Sequence, residues 1–302
     1  MSFMPQSFFS GVVPPAPAPK LGRFKASKMV VLQSWALLKK DKEILWFPVF
    51  SGILVMLAYA VIVTLYFFTV LGGDFARLES ATEETNYISY VFLFVGYLVS
   101  FLIVNFFQAG VMIIAHARFN GQDLGFGDGL RGAATHFGKI FIWSLISATV
   151  GVILRQIFER SQILGKIVAT VLGVAWNILT YFSLPALILG NTSITGSFSE
   201  SASIIRKTWG ETIIVNVGVG LFFALLMILG VFVFLALLIF FVDYGAMLVL
   251  LNIALVVYLV GLMVISSALQ SIFKTALYEY AKTGQVPAGF SPELIKSAIG
   301  PR

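Results

Sequence analysis

Apolar residues fall in six long blocks along this chain, roughly residues 44–71, 87–117, 140–154, 163–189, 213–242 and 246–270, and the short stretches between them hold most of the charge. A helix needs about 20 apolar residues to cross the hydrocarbon core of a bilayer, so five of the six blocks are long enough. The third reaches that length only if Lys139 and Arg155 at its ends extend to the two interfaces. The second and fifth, at about 30 residues, imply tilt, projection or a bend, and Gly230 marks the expected bend in the fifth. The pattern predicts an all-α fold, a polytopic transmembrane bundle of about six spans.

The connections carry a second pattern. A shift of 72 residues lays Phe126, Asp128, Phe137 and Gly138 on Phe198, Glu200, Trp209 and Gly210. Phe126, Leu130, Ala133 and Phe137 in one copy, and Phe198, Ala202, Ile205 and Trp209 in the other, recur at the spacing of one helical face. Each copy reads as a short amphipathic helix at the membrane surface ahead of a span. Ser197 and Glu200 match a capping box that would start the second such helix near Phe198. A weaker third copy pairs Gly121-Gln122 and Gly125-Phe126 with Gly284-Gln285 and Gly289-Phe290. The predicted architecture is a set of repeated hairpins, each followed by a cytoplasmic amphipathic segment. Residues 28–42, with Val31, Trp35 and Leu38 among lysines, read either as an ordinary basic anchor ahead of the first span or as a further interfacial helix.

Composition agrees with a membrane location. Of 302 residues 59% are hydrophobic and 11% charged, with mean hydropathy +0.95, too few polar side chains to cover a water-soluble globule. Charge then orients the bundle. Lys20, Arg23, Lys25, Lys28, Lys39, Lys40 and Lys42 precede the first block, while the first loop holds Asp74, Glu79, Glu83 and Glu84 against Arg77. By the positive-inside rule both termini are expected in the cytoplasm. With six spans, 16 of the 20 Lys and Arg and eight of the 14 acids lie on that side, giving +8 inside and −2 outside. The net charge of +6 therefore reads as attraction to anionic lipid headgroups rather than to nucleic acid. Residues 1–26 form a Pro-rich tail without the basic start and apolar core of a signal peptide. Residues 27–283 form the transmembrane domain, and 284–302 a cytoplasmic C-terminal segment.

Catalytic chemistry finds little purchase. Cysteine is absent, and His116 and His136 are the only histidines, which removes thiolate nucleophiles, disulfides and the usual zinc sites. No dinucleotide, P-loop or hydrolase-elbow motif is present. No catalytic residue, cofactor or metal ligand is expected.

Polar and small residues inside the blocks suggest packing. In the fourth block Ser161, Gly165, Ala169, Gly173 and Asn177 fall at steps of four, and in the fifth Asn216, Gly220 and Ala224 do the same. Such stripes let helices approach closely and place amides to bond across the contact. Asn105, Gln108 and Asn177 are also candidates for a shared polar cavity. Arg155, Glu159 and Asp243 are candidates for ion pairs at the outer face, while Trp35, Phe126, Phe137, Phe198 and Trp209 mark the interfacial segments. Pro185 should break the fourth block near its cytoplasmic end.

Several spaced runs resemble one family. Ser34-Trp35-Ala36-Leu37-Leu38-Lys39-Lys40-Asp41-Lys42-Glu43, Ala175-Trp176 with Phe182 and Pro185, Lys207-Thr208-Trp209-Gly210-Glu211, and Ala276-Leu277-Tyr278-Glu279-Tyr280-Ala281 are similar to a family of prokaryotic integral membrane proteins catalogued as a domain of unknown function. The resemblance covers about residues 27–290, and Gly190-Asn191 stands where that family would carry an acid. It implies six helices in a cytoplasmic membrane and no assigned activity. The leading expectation is a non-enzymatic scaffold or assembly protein, with homo-oligomers or other membrane proteins as partners. The alternative is a channel or transporter for a small solute or lipid.

Overall fold

The computed structural model describes residues 23–74, 77, 87–160, 163–207, 211–241 and 244–299. The Pro-rich tail, Ser161, Trp209, Gly210, Asp243 and the side chain of Asn216 lie outside the described residues. In chain order the helices are α1 (Arg23–Lys40), α2 (Trp46–Thr69), α3 (Tyr87–Phe119), α4 (Phe126–Thr135), α5 (Phe137–Arg160), α6 (Ile163–Leu179), α7 (Ser183–Ile188), α8 (Ile194–Lys207), α9 (Glu211–Phe241), α10 (Gly245–Thr283) and α11 (Pro292–Ile299). A 3-10 turn, Lys42–Leu45, joins α1 to α2. Among the described residues there is no strand. Six helical segments are long and apolar enough to cross a membrane: α2 with its 3-10 turn, α3, α5, α6 with α7, α9 and α10.

Helix α3 is the hub, packing on α2, α5 and α10, while α9 packs on α10. Neighbouring spans alternate in direction. Against α3, α2 sets Phe47 beside Gly110 and Tyr59 beside Gly96, and Tyr66 bonds Ser89 at 3.1 Å. The same antiparallel register joins α5 to α3, through Asn105 on Ser144 and Tyr97 beside Gly151. All the short helices consequently gather at one end, where α2, α5 and α9 begin and α3, α7 and α10 finish. We refer to this as the capped end.

Two expectations from the apolar blocks are adjusted. The third span runs from Phe137 to Glu159, 23 residues, because the helix continues through both flanking cations. Lys139 bonds Asn191 at 2.6 Å and Arg155 bonds Glu159 at 2.6 Å. The sixth helix does not stop at 270 but extends to Thr283, 39 residues in all. At about 1.5 Å per residue it is roughly 58 Å long, well beyond the ~30 Å of hydrocarbon. At Gly230, the expected bend, α9 stays helical. There the missing side chain admits the ring of Tyr258, whose hydroxyl donates to the Leu226 carbonyl at 2.7 Å. The fourth block does break, between Leu179 and Ser183, just ahead of Pro185. A proline ring collides with the carbonyl four residues back and donates no amide, so a helix cannot pass through the preceding turn unbroken. Ser201 of α8, itself fully buried, accepts a bond from the freed Phe182 amide at 3.0 Å.

Two helix starts also differ. Helix α8 begins at Ile194, a turn before Phe198, because Ser193 Oγ accepts the Gly196 amide at 3.1 Å and so caps it. Ser197 instead donates to the Ile194 carbonyl at 2.7 Å, and Glu200 turns toward α10. Phe137 does not continue the α4 face. A break at His136 makes it the first residue of α5, and its ring is 48% exposed.

The buried core sits at the capped end. Val30, Ser34 and Leu38 form the inward stripe of α1, one position round from the expected Val31 and Trp35. They meet Ile44 and Phe47 near the start of α2, the last turns of α3 and α10, Ile204 and Ile205 of α8, and Phe290, Leu294 and Ile295 near the C-terminus. Phe47 is the pin. Its ring fills the space a side chain would need at Gly110 of α3, and a Cβ on Gly129 of α4 would lie 2.7 Å from it.

Candidate functional site

Helices α2, α3 and α10 spread apart just inside the capped end and leave a cleft of about 560 Å³. Its walls are almost wholly apolar, with Ile53, Val55 and Met56 from α2, Val104 and Val111 from α3, and Val260 from α10. Gly52 contributes width, since nothing lies within 4 Å of where its side chain would project. On the α9 side of the same α3–α10 seam lies a second hollow of about 260 Å³, lined by Gln108, Met227, Ser266, Gln270 and Lys274. Gln108, Met263, Ser267 and Ser271 line both hollows, so the two meet at the seam.

The polar side of this site comes from one helix face. Ser266, Gln270 and Lys274 are spaced by four, and Ser267 and Ser271 repeat the step one position on. Gln270 donates to Ser266 Oγ at 2.8 Å. Lys274 is partly buried and lies 4.8 Å from the centre of the Tyr181 ring, in the turn between α6 and α7. Among the described residues no carboxylate lies within 4 Å of its ammonium group. Tyr181 packs edge-on against Phe182 at 4.7 Å, and its buried hydroxyl has no hydrogen-bond partner among the described residues. The site therefore joins an apolar cleft to a row of hydroxyls and amides with a cation at its end.

A third hollow, of about 290 Å³, lies between Asp41, Arg118 and Gly289. Arg118 there is already neutralised, since it pairs with both Asp41 and Asp123. This cluster ties the N-terminal connection to the α3–α4 loop. Similar ties cross the cap elsewhere. Glu43 accepts the Phe126 amide at 2.9 Å, His116 lies 3.4 Å from Glu279, and Glu200 accepts from Tyr278 at 2.9 Å and Lys282 at 2.7 Å.

A family model for DUF6159, a family of unknown function, matches residues 87–290. The chain belongs to that family. No curated protein matches it. The DUF6159 match starts at α3, so it takes in both walls of the α3–α10 seam and the whole polar row. The Ser34–Glu43 run and α2 fall before it.

The polar residues singled out by sequence are dispersed in this DUF6159 protein. Asn105 is buried and donates to Ser144 of α5 at 3.0 Å, whereas Gln108 faces the α10 seam. Asn177 is exposed on α6, and of the three amides only Gln108 lines the two hollows at the seam. On the same helix Ala169 is buried and Gly173 faces Leu154 of α5, with Gly165 partly exposed beside them. A side chain on Gly220 would meet open space. Arg155 and Glu159 pair with each other.

Phe137 apart, the described interfacial aromatics pack against the bundle. Phe126 packs on Phe47 and Phe50 at 4.5 and 5.6 Å, Phe198 on Trp143 and Trp176 at 5.1 and 5.7 Å, and Phe290 on Phe119 and Phe273 at 5.9 and 6.2 Å. Trp35 is partly buried in α1, with the Lys39 ammonium 5.8 Å from its ring. Ser271 and Lys274 escape a reading that ends the sixth block at 270, whereas Ser266, Ser267 and Gln270 lie inside it. Their spacing by four is the signal that marks them.

Proposed function

We propose that this is a non-enzymatic assembly protein of a cytoplasmic membrane, with its cap and both termini in the cytoplasm and with second copies of itself as its first partner. The exposed amide of Asn177 carries the reading. Asn177 follows Trp176, whose ring stacks on Trp143 at 6.3 Å, about two turns inside the capped end of α5. In hydrocarbon an amide without a partner is costly, and helix association is the ordinary way to supply one. Val174, exposed and one turn before Asn177 on the same face, would pack in the same contact.

The cap supports the cytoplasmic assignment. Amphipathic α1, α4, α8 and α11 hold Lys28, Lys39, Lys40, Arg131 and Arg206, with the basic excess the positive-inside rule demands. Native mass spectrometry in lipid discs tests the assembly: dimers or larger forms are expected, reduced by Asn177→Leu, and a strictly monomeric protein overturns it. Orientation has its own test, clean because no native cysteine competes. Single cysteines at Ser80 and Gln122 should label from opposite sides, and only the latter from the cytoplasm.

A further inference from the structure

We infer that the α3–α10 seam is a binding site for one anionic phospholipid drawn from the leaflet at the capped end. Its phosphate would lie against Lys274 and Gln270, and an acyl chain in the cleft between α2, α3 and α10. This rests on the seam alone and stands whether or not the protein self-associates.

Three observations converge on that occupant. The first is depth. Phe47, in the first turn of α2, lines the cleft together with Ser271, and Lys274 lies a turn beyond Ser271 toward the capped end. That is where phospholipid headgroups meet the hydrocarbon, and the apolar wall at Val260, Ile53 and Met56 lies deeper, at the level of the chains. The second is the sharp change of lining. One hollow is almost wholly apolar, whereas the adjoining one offers Gln108, Ser266, Gln270 and Lys274. A molecule that is half hydrocarbon and half polar satisfies both, and a small solute would leave the 560 Å³ apolar part unfilled. The third is charge. Lys274 has no carboxylate within 4 Å among the described residues, unlike Arg118, which has two. A half-buried ammonium facing neutral hydroxyls and amides is complementary to a phosphate anion, to which it can donate up to three hydrogen bonds. The Tyr181 ring holds the cation from the other side.

The test uses the full chain, delipidated in detergent and titrated with single lipids by native mass spectrometry. Phosphatidylglycerol is expected to bind at one tight site, and phosphatidylcholine to bind more weakly. Lys274→Gln should weaken phosphatidylglycerol about tenfold, the loss of a charge-assisted hydrogen bond, and leave phosphatidylcholine unchanged. Lys274→Arg should retain binding, which separates charge from folding. Gly52→Phe, which fills the apolar cleft, should weaken both lipids. Soluble glycerol phosphate should not compete. The proposal is overturned if Lys274→Gln binds phosphatidylglycerol like the wild type, if the two lipids bind equally, or if glycerol phosphate displaces the lipid. Oligomer masses in the same spectra report self-association separately.

Discussion

Two halves of one helix obey different rules. From Tyr87 to Val104, α3 buries only Gly96, whereas from Asn105 to Phe119 most of its residues are buried. Helix α10 divides the same way, with no buried residue before Ser266 and ten from there to Tyr278. The mostly exposed halves are the lipid-facing part of the bundle, and lipid tails are as apolar as the side chains they touch. Burial there supplies no hydrophobic driving force, and close approach depends on small residues such as Gly96 and Gly230. The buried halves lie where α1, α4, α8 and α11 close over them, at a surface that meets water. Removing apolar area from water is favourable there. Much of the stability of this membrane protein is therefore held in its cap.

The largest test of this contrast is Phe47→Ala, which empties the slot between Gly110 and Gly129. It should cost about 3–5 kcal/mol in a denaturant titration. Next is a matched pair: Leu277→Ala, at a fully buried site, should cost about 2–5 kcal/mol, and Leu229→Ala, 58% exposed on α9, under about 0.5 kcal/mol. Equal losses would erase the distinction between the halves. Ser201→Ala strands the Phe182 amide in the core and should cost about 1–3 kcal/mol, with faster proteolysis near Thr180 as its signature. The smallest effect belongs to Arg155→Gln. Its pair with Glu159 is about half exposed and should contribute about 0.5 kcal/mol or less, a change near the limit of the same titration.

The sequence is most informative about the spans, because a run of about twenty apolar residues is too long for a strand and too greasy for a helix with one face in water. It says less about their ends. Hydropathy falls wherever polar residues enter, so the sixth block closes at Gln270, although α10 continues for thirteen residues past it. That boundary cuts the polar row, leaving Ser266, Ser267 and Gln270 inside the block and Ser271 and Lys274 beyond it. Asn105, Gln108 and Asn177 show the opposite failure. Each is polar and placed in a span, yet helix rotation sends Asn105 to α5, Gln108 to the seam and Asn177 outward. Rotation depends on which neighbours a helix acquires, which no single block encodes. The aromatics at 126, 198 and 290 are legible as positions but not as contacts, since their partners lie on α2, on α5 and α6, and on α3 and α10.

Phe47 belongs to α2, yet its ring is seated against glycines of both α3 and α4. The cap cannot lift away while that ring stays in place, and the first span cannot withdraw without opening the cap. Two regions bolted through one side chain should unfold in a single cooperative step, with amide hydrogens of α4 and of the start of α2 exchanging at a common rate.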